Sequence, residues 1–92
     1  MTNFNVELSK RVDEAYESLV CAAEGIGKIQ SRNDSARYIV LKARYGLNPV
    51  TMRCAVMSNA SGDGSVIEFS GRGQDVWGVA SRKIIDRLIE AL

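Results

Sequence analysis

Four groups of residues in this chain could do chemistry. Tyr38, Lys42, Arg44 and Arg53, with Met57 close by in sequence, combine aromatic, cationic and thioether surface of the kind that meets a protein, a nucleic acid or an amphipathic ligand. Cys21 and Cys54 supply thiols, and Asp13, Glu14 and Glu17 supply carboxylates. Gly71-Arg72-Gly73 followed by Asp75 offers a glycine-rich loop ahead of a helix. Against these stands an absence: the chain has no histidine in 92 residues. Ser-His-Asp and Cys-His nucleophiles, the HExxH zinc helix and an imidazole acid or base near neutral pH are therefore excluded.

The remaining groups do not rebuild an enzyme. The two cysteines are far apart, without CxxC spacing or a histidine to complete a zinc site, so neither metal nor cofactor is expected. The glycine-rich loop lacks the GxxxxGK[ST] pattern, and Asp75 would place a negative charge where a phosphate must sit. It reads as a strand-to-helix connector. Asp13, Glu14 and Glu17 fall on the outer side of a helix, as a solvated stripe.

The elements that must position these residues follow from the periodicity. Phe4, Val6 and Leu8 alternate with polar residues as a half-buried strand does. Ser9 offers an N-cap, and Val12, Ala15, Tyr16, Leu19, Ala23 and Ile26 then keep helical spacing, predicting a helix from about Lys10 to Glu24 ended by Gly25 and Gly27. Period two returns in four strands, at about 28–32, 36–45, 50–58 and 65–71. Their turns are Asn33-Asp34-Ser35, Gly46-Leu47-Asn48-Pro49 and Gly62-Asp63-Gly64, with Pro49 outside any strand interior. Asp75 caps a last helix from about Val76 to Ala91, whose stripe of Trp77, Ala80, Ile84, Ile85, Leu88, Ala91 and Leu92 needs a sheet to cover. The expected fold is a single α+β domain over residues 1–92, in the order β-α-β-β-β-β-α, with two helices packed on one face of an antiparallel sheet.

Such a sheet keeps one face open. Ile39, Leu41 and Ala43 with Met52, Cys54 and Val56 form the better core set, as do Ile67 and Phe69. Tyr38, Lys42, Arg44, Arg53 and Met57 then project from the open face and are the candidate binding residues. Cys21 points away from the core stripe beside acidic neighbours, so it is expected to be exposed, and a structural or incidental role is expected for both cysteines.

The net charge of +1 conceals an acidic first helix and a more basic strand region. Sparse aromatics and this near-neutral balance disfavour nucleic acid as the partner. The start of the chain has neither a basic segment nor an apolar run, and no stretch has the length of a membrane span, so a cytoplasmic protein is expected.

The C-terminal half carries Gly62-Asp63-Gly64 between two strands, then Gly71, Asp75-Val76-Trp77-Gly78 and Arg82-Lys83-Ile84-Ile85-Asp86-Arg87-Leu88. In these residues the chain resembles a widespread group of uncharacterised bacterial domains, which also open with a short strand, a helix and a turn like Gly25-Ile26-Gly27. The element order is similar to the TATA-binding-protein-like fold and to a shortened form of the helix-grip fold of START-type lipid carriers. The resemblance implies a ligand or partner surface and no particular activity. A START-type cavity needs more strands and a longer closing helix. A TATA-binding saddle needs two tandem repeats with wedge phenylalanines, whereas here Phe4 and Phe69 both belong to the expected core.

Together these features lead to a non-enzymatic binding or interaction module that uses its open sheet face, for a protein partner or a second copy of itself as a homodimer. The alternative is a small carrier with an apolar or amphipathic ligand between sheet and C-terminal helix, near Met52, Phe69 and Trp77.

Overall fold

The computed structural model describes residues 2–73 and 79–92, and its elements follow the expected order. Strand β1 (Thr2–Leu8) leads into helix α1 (Val12–Ile26), then β2 (Lys28–Asn33), β3 (Tyr38–Tyr45), β4 (Asn48–Ser58), β5 (Ser65–Gly73) and helix α2 (Val79–Ala91). The five strands form one antiparallel sheet in the order β1-β5-β4-β3-β2. Strands β2 to β5 are a meander of consecutive hairpins. Strand β1 instead joins β5 at the far edge, so α1 must carry the chain from one edge of the sheet to the other. Its 15 residues rise about 22 Å, which matches the roughly 19 Å across five strands.

Both helices lie on one face of the sheet, and alternation supplies the core between the layers. Ile39, Leu41 and Ala43 of β3, Val50, Met52, Cys54 and Val56 of β4, and Ile67 and Phe69 of β5 are buried. They meet Ala15, Leu19 and Ala23 of α1 and Ile84, Ile85 and Leu88 of α2 in one cluster. Phe4, Val6 and Leu8 pack half-buried at the β1 edge, where the Arg82 guanidinium lies 4.0 Å from the centre of the Phe4 ring. Arg87 covers Tyr45 in the same way at 5.3 Å. These arginines extend the apolar layer with their stems while their heads stay wet.

Three local expectations are corrected. Helix α1 starts two residues later than the periodicity suggests, with Arg11 at the N-cap position, because Leu8 is still paired with Ser65 and Ser9 and Lys10 are spent on the bend. Ser9 is therefore not the cap, and Arg11 makes no capping hydrogen bond; Asp13 and Glu14 in the first turn compensate by facing the positive end of the helix. Helix α1 also runs through Gly25 and stops only at Gly27, whose N–H donates to the Ala23 carbonyl. Pro49 lies inside β4, opposite Arg44, although one residue ahead of the point where β4 starts to pair with β5 at Val50 and Gly73. A missing N–H is tolerated at such a strand start. The expected cap Asp75 and the helix positions Val76 and Trp77 lie outside the described residues.

One buried polar atom stands out. The Ser81 hydroxyl is fully buried in the first turn of α2, with no hydrogen-bond partner among the described residues, where the helix crosses so close to Gly71 that a Cβ there would lie 3.0 Å from that of Ser81. A buried hydroxyl without a partner costs about 1–3 kcal/mol. Ser81→Ala is expected to leave the protein as stable or to stabilise it by about 1 kcal/mol, measured by chemical denaturation. A loss of stability would mean that the hydroxyl has a partner.

Candidate functional site

Because both helices cover the same side, nothing among the described residues covers the other face of the sheet. Tyr38, Lys42 and Arg44 of β3 alternate with buried residues and lie on this open face, as do Arg53 and Met57 of β4. Lys42, Arg44 and Arg53 are exposed, Tyr38 is half-buried, and Met57 is 41 % exposed. The register brings them together with Val40 and Ala55, both half-buried, and with Val66 of β5 opposite Met57. The Arg53 guanidinium lies 5.0 Å from the centroid of the Tyr38 ring. This holds a cation and an aromatic ring as one unit near the middle of the face.

The face is electrically divided along its length. Lys28 of β2 pairs directly with Lys42, and Arg44 follows one step further toward the β3–β4 turn, so one end carries three cations. Glu68 of β5 is opposite Ala55, and Glu7 of β1 is opposite Val66, so the acidic groups sit toward the other end and the other edge. Lys28 was not recognisable as a member of this face from sequence. A register shift between Ile29 and Ser31 sets an extra residue into β2, and strict alternation from the far end of that strand would have turned Lys28 inward.

A second polar cluster lies on the helix side, at the tip of the β2–β3 hairpin. Tyr16 donates to Asp34 Oδ1 at 2.7 Å, and Arg32 Nε donates to the same oxygen at 2.9 Å. Those two donors hold the Asp34 carboxyl below its ordinary range, while burial, and then the bond to Asp34, raises the Tyr16 phenol. Arg37 Nη2 pairs with Asp13 Oδ1 at 2.8 Å, so Asp13 is tied to the hairpin while Glu14 and Glu17 remain on the exposed side of α1. These contacts pin the hairpin to α1. Their polar groups pair with one another across the two elements and so act as an anchor.

Of the remaining candidates, Met52, Phe69 and Cys54 are packing residues. Met52 and Phe69 are 0 % and 1 % exposed within the core, so an apolar ligand beside them would have to displace the packing; Trp77 lies outside the described residues. Cys54 is buried, which pushes its thiol up to about 12 and keeps it protonated, and Cys21 is exposed on α1 as its helical angle requires. Among the described residues, no three of His, Cys, Asp or Glu come together as metal ligands would. No helix among them is long and apolar enough to cross a membrane.

Fold and site thus define an α+β domain that covers one face of its sheet and exposes a charge-divided other face. In comparisons with known proteins, no family model and no curated sequence matches the chain.

Proposed function

We propose that the protein is a non-enzymatic binding module that docks protein on its open sheet face, and that a second copy of the chain is the occupant this face fits. The observation that carries the reading is the placement of Arg53 and Glu68. Strand β4 is the middle of the five, so a two-fold axis along it, between two sheets packed face to face, lays β5 of one copy over β3 of the other. Glu68 shares a cross-strand row with Ala55 and Tyr38, and Arg53 leans over the Tyr38 ring. The axis therefore brings each Glu68 to the Arg53 and Tyr38 unit of the partner, twice by symmetry. Tyr38, Val40, Ala55, Met57 and Val66 supply the apolar centre around it. The resemblance to folds that keep one sheet face for a partner agrees with this reading.

Analytical ultracentrifugation of charge variants tests it. Arg53→Glu and Glu68→Arg are each expected to weaken dimerisation by about tenfold or more, since like charges then meet at two symmetric places. The double exchange should recover a good part of the loss. A wild-type protein that stays monomeric at high concentration, or single variants that dimerise unchanged, would remove the basis for the reading.

A further inference from the structure

The end of the β3–β4 hairpin has a composition that the sheet-face reading does not use. Strands β3 and β4 are joined by Gly46 and Leu47 alone, since Tyr45 already pairs with Asn48. Gly46 at φ 64°, followed by a residue that is not at positive φ, fits the type II′ turn that favours glycine in its first position. Among the described residues, β2 stops pairing at Lys42 and β5 stops at Val50, so the stretch 43–49 reaches past both neighbouring strands. Leu47 sits at its outermost point and is 92 % exposed.

Three cations stand behind that leucine. Lys28 and Lys42 are direct cross-strand neighbours, and Arg44 is opposite Pro49, one pair from the loop. Like charges placed opposite each other destabilise a sheet unless something neutralises them. Arg32, Arg37 and Arg82 have carboxylate partners, but Lys28, Lys42 and Arg44 have no ion pair among the described residues. With Ile26 and Thr51 they border an open groove of about 660 Å³.

A single exposed leucine is ordinary on a protein surface. A leucine projected on a turn, with a cationic collar that has no ion pair among the described residues one to three residue pairs behind it, matches the layered chemistry of an anionic bilayer. The aliphatic tip enters the boundary of headgroups and acyl chains while the cations stay at the level of the phosphates. We propose that this hairpin end docks on an anionic lipid bilayer. A soluble polyanion would use the cations and leave Leu47 idle, so Leu47 separates the two. The inference does not depend on dimerisation, and a two-fold axis along the strands keeps both hairpin ends on the same side.

Sedimentation with vesicles made of equal parts phosphatidylglycerol and phosphatidylcholine tests the site. The protein should pellet with them, less so as salt rises, and should stay in the supernatant with phosphatidylcholine alone. Leu47→Asp should weaken binding about tenfold, and Lys28→Gln with Lys42→Gln by roughly 30-fold. These positions are exposed, so circular dichroism melting should be unchanged in each variant. Arg11→Glu, exposed beside the β4–β5 turn at the opposite end of the sheet, should bind within about twofold of wild type. The proposal is overturned if the wild type binds neither vesicle or both equally, or if Leu47→Asp binds as well as wild type. In the last case, binding of a single-stranded oligonucleotide that is lost with Lys28 and Lys42 would make the collar a polyanion site. A monomeric protein that still binds anionic vesicles would sink the sheet-face dimer and leave the hairpin site standing.

Discussion

Gly27→Ala is expected to lose about 2–3 kcal/mol of stability, whereas Gly25→Ala, two residues earlier, should gain about 0.5–1 kcal/mol. Gly27 has φ −161°, an extended conformation open to any residue, so its backbone does not demand glycine. Space does. A Cβ at this position would run into the carbonyl oxygen of Lys42 and lie 3.0 Å from both Cα and Cβ of Ala43, all of them held by the β3 ladder. Relief requires α1 to back away from the sheet. Gly25 lies inside the helix at negative φ with no atom within 4 Å of where its Cβ would be, so alanine there only narrows the unfolded ensemble. Urea denaturation of the two variants reads the contrast directly, and equal effects would mean that the end of α1 sits less tightly on β3.

Leu19→Ala should destabilise by about 2–5 kcal/mol, while Cys21→Ser changes stability by no more than a few tenths of a kcal/mol, as surface substitutions do. Leu19 is completely buried at the centre of α1, and its truncation opens a cavity between the two layers. Cys21, two positions on, is turned to solvent. Since a small domain has only about 5–15 kcal/mol in total, the first variant should melt far below wild type. Similar midpoints for the two variants would show that α1 packs with a different register.

Much of this arrangement was legible in the residues because two periodicities are written plainly. Alternation in Ile39-Leu41-Ala43 and Met52-Cys54-Val56 settles which face of β3 and β4 is buried, and the helical stripe around Leu19 does the same for α1. The departures from these periodicities have local causes. Serine is a strong capping residue, but pairing of Leu8 with Ser65 keeps the chain extended until the bend and takes Ser9 out of reach of α1. Glycine is a weak helix former, yet Gly25 is carried along because tertiary packing of Ala22 and Ala23 holds the helix on the sheet.

The candidate site was legible to a similar degree. Tyr38, Lys42, Arg44, Arg53 and Met57 follow from alternation alone, and all five lie on the open face. Lys28 could not be placed, because a bulge changes the facing of a strand without a distinctive residue to announce it. Leu47 was readable only as part of a four-residue turn. Its exposure depends on the loop being two residues long, which the pairing of Tyr45 with Asn48 decides. Nor could the spacing show that Asp13 and Arg37, or Tyr16 and Asp34, would meet, since those contacts join α1 to a hairpin tip in space.

The path of α1 from one edge strand to the other also orders events in time. Every pairing among β2 to β5 joins hairpin neighbours, so the meander assembles from contacts close along the chain. The remaining pairing joins Leu8 to Ser65 and Thr2 to Gly71, across most of the molecule, and must meet the largest loop-closure entropy in the sheet. Strand β1 therefore has least reason to form early. Among the strand pairings, that of β1 with β5 is the one expected last, on an edge that the meander has already prepared.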